Sequence, residues 1–232
     1  MAEGALIVIG GTSGLGRDLA RWYADQGREV VISGRDAERA RSVAEELGGA
    51  ARGVGFDLAE PDQIAAALQD VGAVDQLVLA AIERDSNSVR DYDIRQATRL
   101  ATMKLIGYTE VVHALVGRLH DESAVLLFGG LARDRPYPGS TTVTSVNGAV
   151  SSMVRAFATE LAPVRVNALH PGIVGDSPAW AKSEEMLSRV KARTPTGRLV
   201  TMEDVTGAAV FLLENRSVNG INLRVDGGTL ML

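Results

Sequence analysis

The sequence predicts an α/β fold in which a parallel sheet is covered by helices on both faces. Short apolar runs alternate with longer stretches of helical periodicity, which is the pattern of successive βαβ units. Several runs are apolar nearly throughout, as strands buried on both faces must be. A chain of 232 residues fits one domain of this class. We therefore expect residues 1–232 to form a single doubly wound, three-layer domain with about seven strands.

Seven short apolar runs predict the strands, and the stretches of period 3.6 between them predict the helices. The predicted strands are residues 5–9, 29–33, 51–56, 75–79, 124–128, 165–169 and 220–225. The predicted helices are residues 14–26, 36–47, 61–70, 88–119, 142–162 and 202–213. Pro61 and Asp204 stand near the starts of two of these helices, where first-turn signals belong.

Residues 175–196 form the loosest stretch of the chain, with Pro178, Trp180 and Pro195 among several charges. A loop of this length within a compact domain usually has a function. We interpret it as a lid over a substrate pocket; the alternative is a pair of peripheral helices that packs there for stability. Its side chains suit a mid-sized, partly apolar ligand. They include Trp180, Met186, Leu187, Lys182, Glu184 and Glu185.

Composition excludes several classes of function. Lys and Arg number 24 against 29 Asp and Glu, and this net charge of −5 argues against nucleic acid or an anionic membrane as the main partner. The absence of cysteine removes disulfides, thiolate metal sites and cysteine nucleophiles, and the three histidines lack metal-ligand spacing, so we expect no metal. No apolar run is long enough to span a membrane, and we expect a cytoplasmic protein.

Residues 10–16 read Gly-Gly-Thr-Ser-Gly-Leu-Gly and join the first strand directly to the first helix. Gly10 lets the chain turn sharply, Gly14 lets the backbone approach a phosphate, and Gly16 lets helix and strand pack closely. Free N–H groups and the helix dipole then favour an anion. This context predicts a Rossmann-type dinucleotide site, with a structural turn lacking a ligand as the alternative. The predicted contacts are Gly10, Thr12, Ser13, Gly14, Leu15 and Gly16.

The end of the second strand indicates which dinucleotide binds. Proteins that bind NAD usually carry an acidic residue there, whereas this chain reads Ser33-Gly34-Arg35. Because Arg35 and the Ser33 hydroxyl could bind a 2′-phosphate, we expect NADP(H) to be preferred over NAD(H). The alternative for Arg35 is a solvated residue at a helix start. Asp57 ends the third strand, where it either accepts a hydrogen bond from the adenine amine or caps a helix.

The later part of the chain resembles the short-chain dehydrogenase/reductase family. Residues 164–172 read VRVNALHPG and resemble the family's R-V-N-x-x-x-P-G segment, while Gly197-Arg198 with Glu203-Asp204-Val205 resembles its G-R-x-x-x-x-E-D-V segment. Residues 220–228 resemble its closing G-x-x-x-x-V-D-G-G. The resemblance implies strand order 3-2-1-4-5-6-7, a nicotinamide cofactor, small carbonyl or alcohol substrates, and a homodimer or homotetramer. It also places further residues at the cofactor: Leu58, Ala80, Ala81, Pro171, Gly172 and Val174.

The chain departs from this family at the residues that carry the chemistry. The family uses an Asn in the fourth helix, a Ser, and Tyr-x-x-x-Lys in the fifth helix, where the Tyr donates a proton to the carbonyl oxygen. The alignment implied by the resemblance places Gly130 at the Ser position and Val143 at the Tyr position. It places Asn147 at the Lys position and Lys104 at the Asn position. All four catalytic identities are therefore missing.

Lys and Asn have changed places between two helices that meet at the site in this family. Helical spacing predicts that Lys104 and Asn147 both point inward, because each shares a stripe with apolar residues. A lysine buried in this way has a pKa that shifts easily. We hypothesise that both hold the nicotinamide ribose, or that Lys104 donates the proton. The alternative is that Lys104 extends to solvent or serves a subunit contact.

Other proton donors follow on the loop that leads into the fifth helix. Tyr137 is a candidate replacement acid, with plain loop packing as the alternative. Ser145 or Thr142 faces the pocket or serves the helix start. His170 lies near the nicotinamide in such folds, although a hydrogen-bonded histidine at a strand end is the simpler interpretation.

Three functions follow from these observations. The first is an NADP(H)-dependent reductase or dehydrogenase of a small carbonyl or alcohol substrate with a rearranged active site. Loss of the tyrosine weakens such catalysis without forbidding it, because general-acid help contributes ~10²–10⁴-fold and the cofactor carries the hydride. The second is a catalytically silent relative that binds NADP(H) as a sensor or scaffold. The third is a non-redox enzyme on the same fold.

Overall fold

The computed structural model describes residues 4–181 and 183–231. Its centre is a parallel sheet of seven strands in the order β3-β2-β1-β4-β5-β6-β7, which confirms the predicted fold class and strand order. The strands are β1 Ala5–Ile9, β2 Val30–Gly34, β3 Arg52–Gly55, β4 Val74–Leu79, β5 Leu119–Phe128, β6 Arg165–Pro171 and β7 Asn222–Val225. The order reverses beside β1, and ligands of such sheets bind outside the carboxyl ends of the strands at that point.

The helices connect successive strands and cover both faces of the sheet. They are α1 Gly14–Asp25, α2 Ala37–Leu47, α3 Ile64–Ala67, α4 Ile94–Ala101, α5 Tyr108–Leu115, α6 Thr141–Glu160, α7 Glu184–Arg193 and α8 Met202–Glu214. A π-helical turn, Thr102–Gly107, joins α4 to α5. Thr201 and Asp204 form a reciprocal capping box at the start of α8, which explains the first-turn signal seen in the sequence.

Side-chain alternation along the strands divides the core in two. Ile7, Leu77 and Leu127 point to the face that α3, α4, α5 and α6 cover. Leu6 and Val8 point to the opposite face, which α1, α2 and α8 cover. Successive residues of a strand point to opposite faces, so two sets of helices are needed to bury both. The result is the predicted three-layer arrangement.

The predicted helix over residues 88–119 is wrong at its start. Residues 88–93 form a loop, and α4 begins only at Ile94, because the Asp93 carboxylate accepts hydrogen bonds from the backbone N–H groups of Arg95 and Gln96. Asn87 is fully buried and binds the Asp93 backbone through both its amide nitrogen and its amide oxygen. Tertiary hydrogen bonds of this kind override helical periodicity, which reports only the buried face of a segment.

The interpretation of residues 175–196 as a loose loop is also corrected. The segment contains a 3₁₀ turn at Pro178–Trp180 and the ten-residue helix α7, while Lys182 lies outside the described residues. No residue of α7 is fully buried, so this helix adds little to the core. Within the described residues, no helix has the length and apolar content needed to cross a bilayer.

Candidate functional site

A cleft of about 920 Å³ opens at the carboxyl ends of the strands, between the glycine loop and the segment around Trp180. The structure brings most of the residues that the sequence assigned to the cofactor and to catalysis to the wall of this cleft. They are Gly10, Thr12, Ser13, Gly14, Leu15, Gly16, Ser33, Arg35, Asp57, Leu58, Ala80, Ala81, Lys104, Gly130, Tyr137, Val143, Asn147, Pro171, Gly172 and Val174. They come from eight separate stretches of the chain, and their convergence was not visible in the sequence order.

The glycine loop has the geometry that its three glycines require. Gly10 has φ +87°, a conformation that residues with a Cβ rarely adopt. A Cβ on Gly16 would lie 2.4 Å from the Gly10 carbonyl oxygen, so only glycine fits where α1 packs on β1. Gly14 has φ +53° and open space around the position of its missing Cβ. The loop therefore leaves its surface free for a ligand at Gly14.

The start of α1 is left open for an anion. Ser13 precedes the helix in extended conformation, but its side chain makes no capping hydrogen bond, and the first turn has no acidic residue. By contrast, the carboxylates of Asp36 and Asp93 cap α2 and α4. Uncapped N–H groups at a helix start attract phosphate oxygens. These groups fit the diphosphate of a dinucleotide.

The two residues expected at a 2′-phosphate have different surroundings. Ser33 is buried, and its Oγ accepts a hydrogen bond of 3.3 Å from the Gly10 N–H, so this side chain supports the glycine loop. The Arg35 side chain is 68% exposed, with Nη1 3.8 Å from a carboxylate oxygen of Glu83. The sequence shows no acidic residue at the end of β2, but the loop after β4 brings Glu83 there. Of these two residues, Arg35 is the one that is open to a ligand.

Asp57 is held by its own neighbours. Its carboxylate accepts hydrogen bonds of 2.9 Å from the Ala59 N–H and from Arg99 Nη2. Partial burial favours the neutral acid, but these donors outweigh it and keep the pKa of Asp57 below its usual value. Arg99 Nε also donates to Glu83 at 2.9 Å. Sequence reasoning missed Arg99 and Glu83, because neither stands in a motif and their side chains meet only in the folded chain.

Lys104 lies at the centre of the cleft wall, on the π-helical turn. Its side chain is only 3% exposed and does not extend to solvent. Nζ donates hydrogen bonds of 2.8 Å to Tyr108 Oη and to the Phe128 carbonyl oxygen. Burial lowers the pKa of Lys104 to about 7, because the charged amine has lost its water. Turns with the π-helical bonding pattern are frequent at functional sites, since the extra residue re-aims side chains.

Asn147 occupies the space that the missing side chain of Gly130 leaves open. A Cβ on Gly130 would lie 3.0 Å from the Asn147 amide nitrogen. Asn147 is 7% exposed, lines the cleft and makes no side-chain hydrogen bond to the described part of the chain. Val143 lies one turn before it on α6 and also lines the cleft. The amide of Asn147 is thus available to a ligand, and Val143 adds an apolar wall without an exchangeable proton.

The other candidate donors separate in the structure. Tyr137 lines the cleft and is 53% exposed. Thr142 and Ser145 do not line it, and Ser145 Oγ donates to the Thr141 carbonyl within α6. These two hydroxyls therefore do not face the pocket, and the alternative of a role in the helix start remains for them.

His170 is a buried strand-end residue. It is 0% exposed and outside the cleft wall, with Nε2 2.9 Å from Asn222 Oδ1 and 3.1 Å from Arg133 Nη1. Burial lowers the pKa of His170 to about 4, so the ring is neutral at physiological pH. In the described part of the chain its Nδ1 has no hydrogen-bond partner, and this atom lies 2.3 Å from where a Cβ on Gly129 would be. His170 therefore packs against Gly129 in the loop after β5 and does not line the cleft.

A family model described as enoyl-(acyl carrier protein) reductase matches residues 9–229. The 3-oxoacyl-[acyl-carrier-protein] reductase of Bos taurus is 32% identical over 95% of this chain and 95% of its own length. A protein of Xanthobacter autotrophicus, named inactive 2-(S)-hydroxypropyl-CoM dehydrogenase 2, is 31% identical over 90% of this chain and 98% of its own.

Solved structures match over nearly the whole chain. One described as a short chain dehydrogenase/reductase family protein has a TM-score of 0.88 and 31% identity, covering 99% of this chain and 98% of its own. A gluconate 5-dehydrogenase from Burkholderia cenocepacia, solved in complex with NADP and tartrate, has a TM-score of 0.88 and 27% identity. That match covers 100% of this chain and 97% of the other.

Proposed function

The chain belongs to the short-chain dehydrogenase/reductase family of oxidoreductases, and from that premise we propose that it transfers hydride between NADP(H) and a small carbonyl or alcohol substrate through a rearranged active site. The observation that carries the proposal is Lys104, an amine buried in the wall of the cleft within reach of a ligand. A buried lysine is costly to retain unless its amine has a use.

The cofactor half of the proposal is supported by the glycine loop and the open start of α1. The N–H groups of that helix start would hold the diphosphate, and Arg35 would bind the 2′-phosphate. A gluconate 5-dehydrogenase that shares this fold was solved with NADP. When bound, the nicotinamide supplies or accepts the hydride. The side chains of the cleft must then deliver or remove one proton at the substrate oxygen.

Lys104 is the proposed proton donor. A charged amine has three N–H bonds, and Lys104 uses two of them on Tyr108 Oη and the Phe128 carbonyl. The third N–H is free for a carbonyl oxygen in the cleft, and a pKa near 7 suits an acid that works at neutral pH. After transfer the amine is neutral, which burial favours.

Asn147 is proposed to orient the ligand beside Lys104. Its amide can donate to the substrate oxygen or to a ribose hydroxyl, as the family's lysine would at this position. The π-helical turn and α6 pack against each other, which brings both residues to one wall. Tyr137 remains a candidate as a second acid, because it lines the cleft from the loop before α6.

The test is NADPH oxidation with a panel of ketones and aldehydes, beside calorimetric titration of NADPH and NADH. We expect tight NADPH binding and measurable turnover. The variant K104M should lower kcat by ~10²–10⁴-fold, the usual contribution of a general acid. The matched control is K191M, at an exposed lysine outside the cleft. Equal turnover of K104M and the wild-type protein would remove Lys104 from the mechanism, and failure to bind either dinucleotide would remove the proposed function.

A catalytically silent NADP(H)-binding protein is the second candidate. Gly130 and Val143 carry no exchangeable side-chain proton at the two positions where the family polarises and protonates its substrate. A curated relative is itself named an inactive dehydrogenase. If NADPH binds without turnover, the variant with Gly130→Ser, Val143→Tyr, Asn147→Lys and Lys104→Asn should gain ketone reduction. Turnover by the wild-type protein excludes this candidate.

A homo-oligomer is proposed as the assembly. Ile94 and Ile106 are 68% and 55% exposed on the long helical segment, and Val89 in the loop before it is 83% exposed. Large apolar side chains exposed in this way are candidates for a contact between copies of the chain. Light scattering should give a mass of two or four chains, and Ile106→Glu should lower it.

A further inference from the structure

The charge of the cleft is opposite to the charge of the chain. The whole sequence has a net charge of −5, yet the described residues that line the cleft include five basic and only two acidic side chains. The basic ones are Arg35, Arg84, Lys104, Arg135 and Arg193. A cleft lined by one sign of charge raises the local concentration of ligands of the other sign.

The two acidic residues do not offset this charge for a ligand. Arg99 donates hydrogen bonds of 2.9 Å to both Asp57 and Glu83. Both carboxylates follow strands β3 and β4, at the end of the cleft where Arg35 lies. The end near the lid therefore has arginines and, among the described residues that line it, no carboxylate.

Three arginines surround that end from three segments. Arg84 lies over the Trp180 ring, with its guanidinium carbon 4.6 Å from the ring centroid. Arg193 is the last residue of α7, and Arg135 donates to the Thr229 carbonyl oxygen at 3.2 Å. Within the described parts of the chain, Arg84 and Arg193 have no carboxylate partner. Exposed arginines without such a partner keep their donors for a ligand.

Beside the arginines and the hydroxyl residues Ser177 and Thr229, the wall near the lid has side chains that are apolar or carry one aromatic N–H. These residues are Leu131, Ala132, Pro178, Ala179, Trp180 and Val190.

We propose that the substrate is a small carbonyl compound with an anionic terminal group, which Arg193 and Arg84 bind at the lid while the carbonyl end reaches Lys104 and Asn147. This inference rests on the proposed function and adds the class of substrate. The apolar wall fits the carbon chain between the two ends. Guanidinium groups bind carboxylates and phosphates with charge-assisted hydrogen bonds, and the apolar surroundings strengthen those bonds.

The experiment compares straight-chain oxo acids of increasing length with their methyl esters and with oxoalkyl phosphates. The readouts are kcat/KM for NADPH-dependent reduction, and calorimetric binding with and without NADPH. We expect the anions to be preferred over the ester of the same length, and the preference to fall as salt is added. Whether carboxylate or phosphate is favoured identifies the anionic group.

Two variants localise the effect. R193Q and R84Q should lower the ratio of kcat/KM for the acid to kcat/KM for the ester by about 10- to 100-fold, the range for a lost hydrogen bond to a charged group. R189Q is the matched control: Arg189 is on the same helix, exposed, 4.0 Å from Glu185 and outside the cleft wall. It should leave the ratio unchanged.

The inference fails if the wild-type protein treats acid and ester alike, if no anion in the series binds, or if R189Q lowers the ratio as much as R193Q. A failure of the proposed function is visible separately, as absence of NADPH binding or of turnover. In that case the calorimetric titration without cofactor still tests the anion site. Anion binding that is lost in R193Q would support this site even though the proposed function had failed.

Discussion

Tyr108 connects Lys104 to the loop after β4. Its Oη accepts a hydrogen bond of 2.8 Å from Lys104 Nζ and donates one of 2.7 Å to the Ala81 carbonyl oxygen. Tyr108 is fully buried, and burial raises its pKa, so the hydroxyl keeps its proton and can donate only to Ala81. The phenol therefore always presents its lone pairs to the amine, which fixes Lys104 in the cleft wall.

The buried amine makes stability depend on pH. Burial lowers the pKa of Lys104 from 10.5 to about 7. Below about pH 7 the amine is charged in both the folded and the unfolded chain, and the full cost of burying the charge is present. Between about pH 7 and about pH 10.5 the unfolded chain binds the additional proton, so rising pH stabilises the folded state.

The variant K104M removes the cost of burying this charge. The free energy of unfolding of K104M minus that of the wild-type protein should therefore be more positive at about pH 6 than at about pH 9. Urea unfolding of the nucleotide-free proteins at the two pH values measures this difference. K191M, at an exposed position, should show the same small difference from wild type at both. A K104M effect independent of pH would mean that Lys104 keeps an ordinary pKa.

Gly16 is expected to tolerate no side chain. In Gly16→Ala the added Cβ would meet the Gly10 carbonyl oxygen at 2.4 Å, so helix and strand must separate. We expect a loss of about 1–3 kcal/mol in the free energy of unfolding and loss of NADPH binding. Gly207→Ala in α8 is the control, because nothing lies within 4 Å of its missing Cβ. It should stabilise the protein by about 0.5–1 kcal/mol, as alanine does in a helix, and a destabilised Gly207→Ala would contradict this reasoning.

Arg35 is expected to select between the two cofactors. Arg35→Gln should raise the Kd for NADPH by about 10- to 100-fold and leave the Kd for NADH nearly unchanged, because only NADPH offers a phosphate to the guanidinium. Calorimetric titration of both cofactors checks this. Arg41→Gln is the control, since Arg41 is exposed on α2 and does not line the cleft. Parallel losses of both affinities would show that Arg35 does not recognise the phosphate.

Asn87 holds two loops of the site together. Its backbone pairs with Gly139 and Thr141, and its side chain binds the Asp93 backbone and Asp85. Asn87→Ala removes the hydrogen bonds to the Asp93 backbone and to Asp85 and leaves a cavity at a fully buried position, so we expect a loss of about 2 kcal/mol in the free energy of unfolding. The neighbouring Ser86→Ala removes an exposed hydroxyl and should change it little. Urea unfolding measures the free energy of unfolding of both variants, and equal values for the two would show that Asn87 is dispensable.

Much of the site could be predicted because its residues stand at fixed positions relative to strands. The glycine loop follows β1 directly, so the roles of Gly10 and Gly16 could be assigned from spacing alone. Lys104 and Asn147 were placed inward by helical periodicity, and the structure places both there. The roles assigned to them remain predictions.

Other features of the site could not be predicted, because they depend on side chains from distant segments. Glu83 lies beside Arg35, and Arg99 pairs with both Asp57 and Glu83. These ion pairs join segments that are far apart in the chain, so no local sequence pattern predicts them. The start of α4 was placed too early because Asn87 and Asp93 stop the helix with tertiary and capping hydrogen bonds. The lid segment has few buried residues, so periodicity gave too weak a signal to reveal α7.

The sequence by itself determined the order of strands and helices along the chain and the glycine loop between the first strand and the first helix. Each of these depends on residue type and local spacing, which the chain carries directly. Only the tertiary structure decided which charges line the cleft: Arg99 pairs with the acids Asp57 and Glu83, while Arg84 and Arg193 line the same cleft from the loop after β4 and from α7. The reason is physical, since electrostatic energy depends on distance and burial in three dimensions.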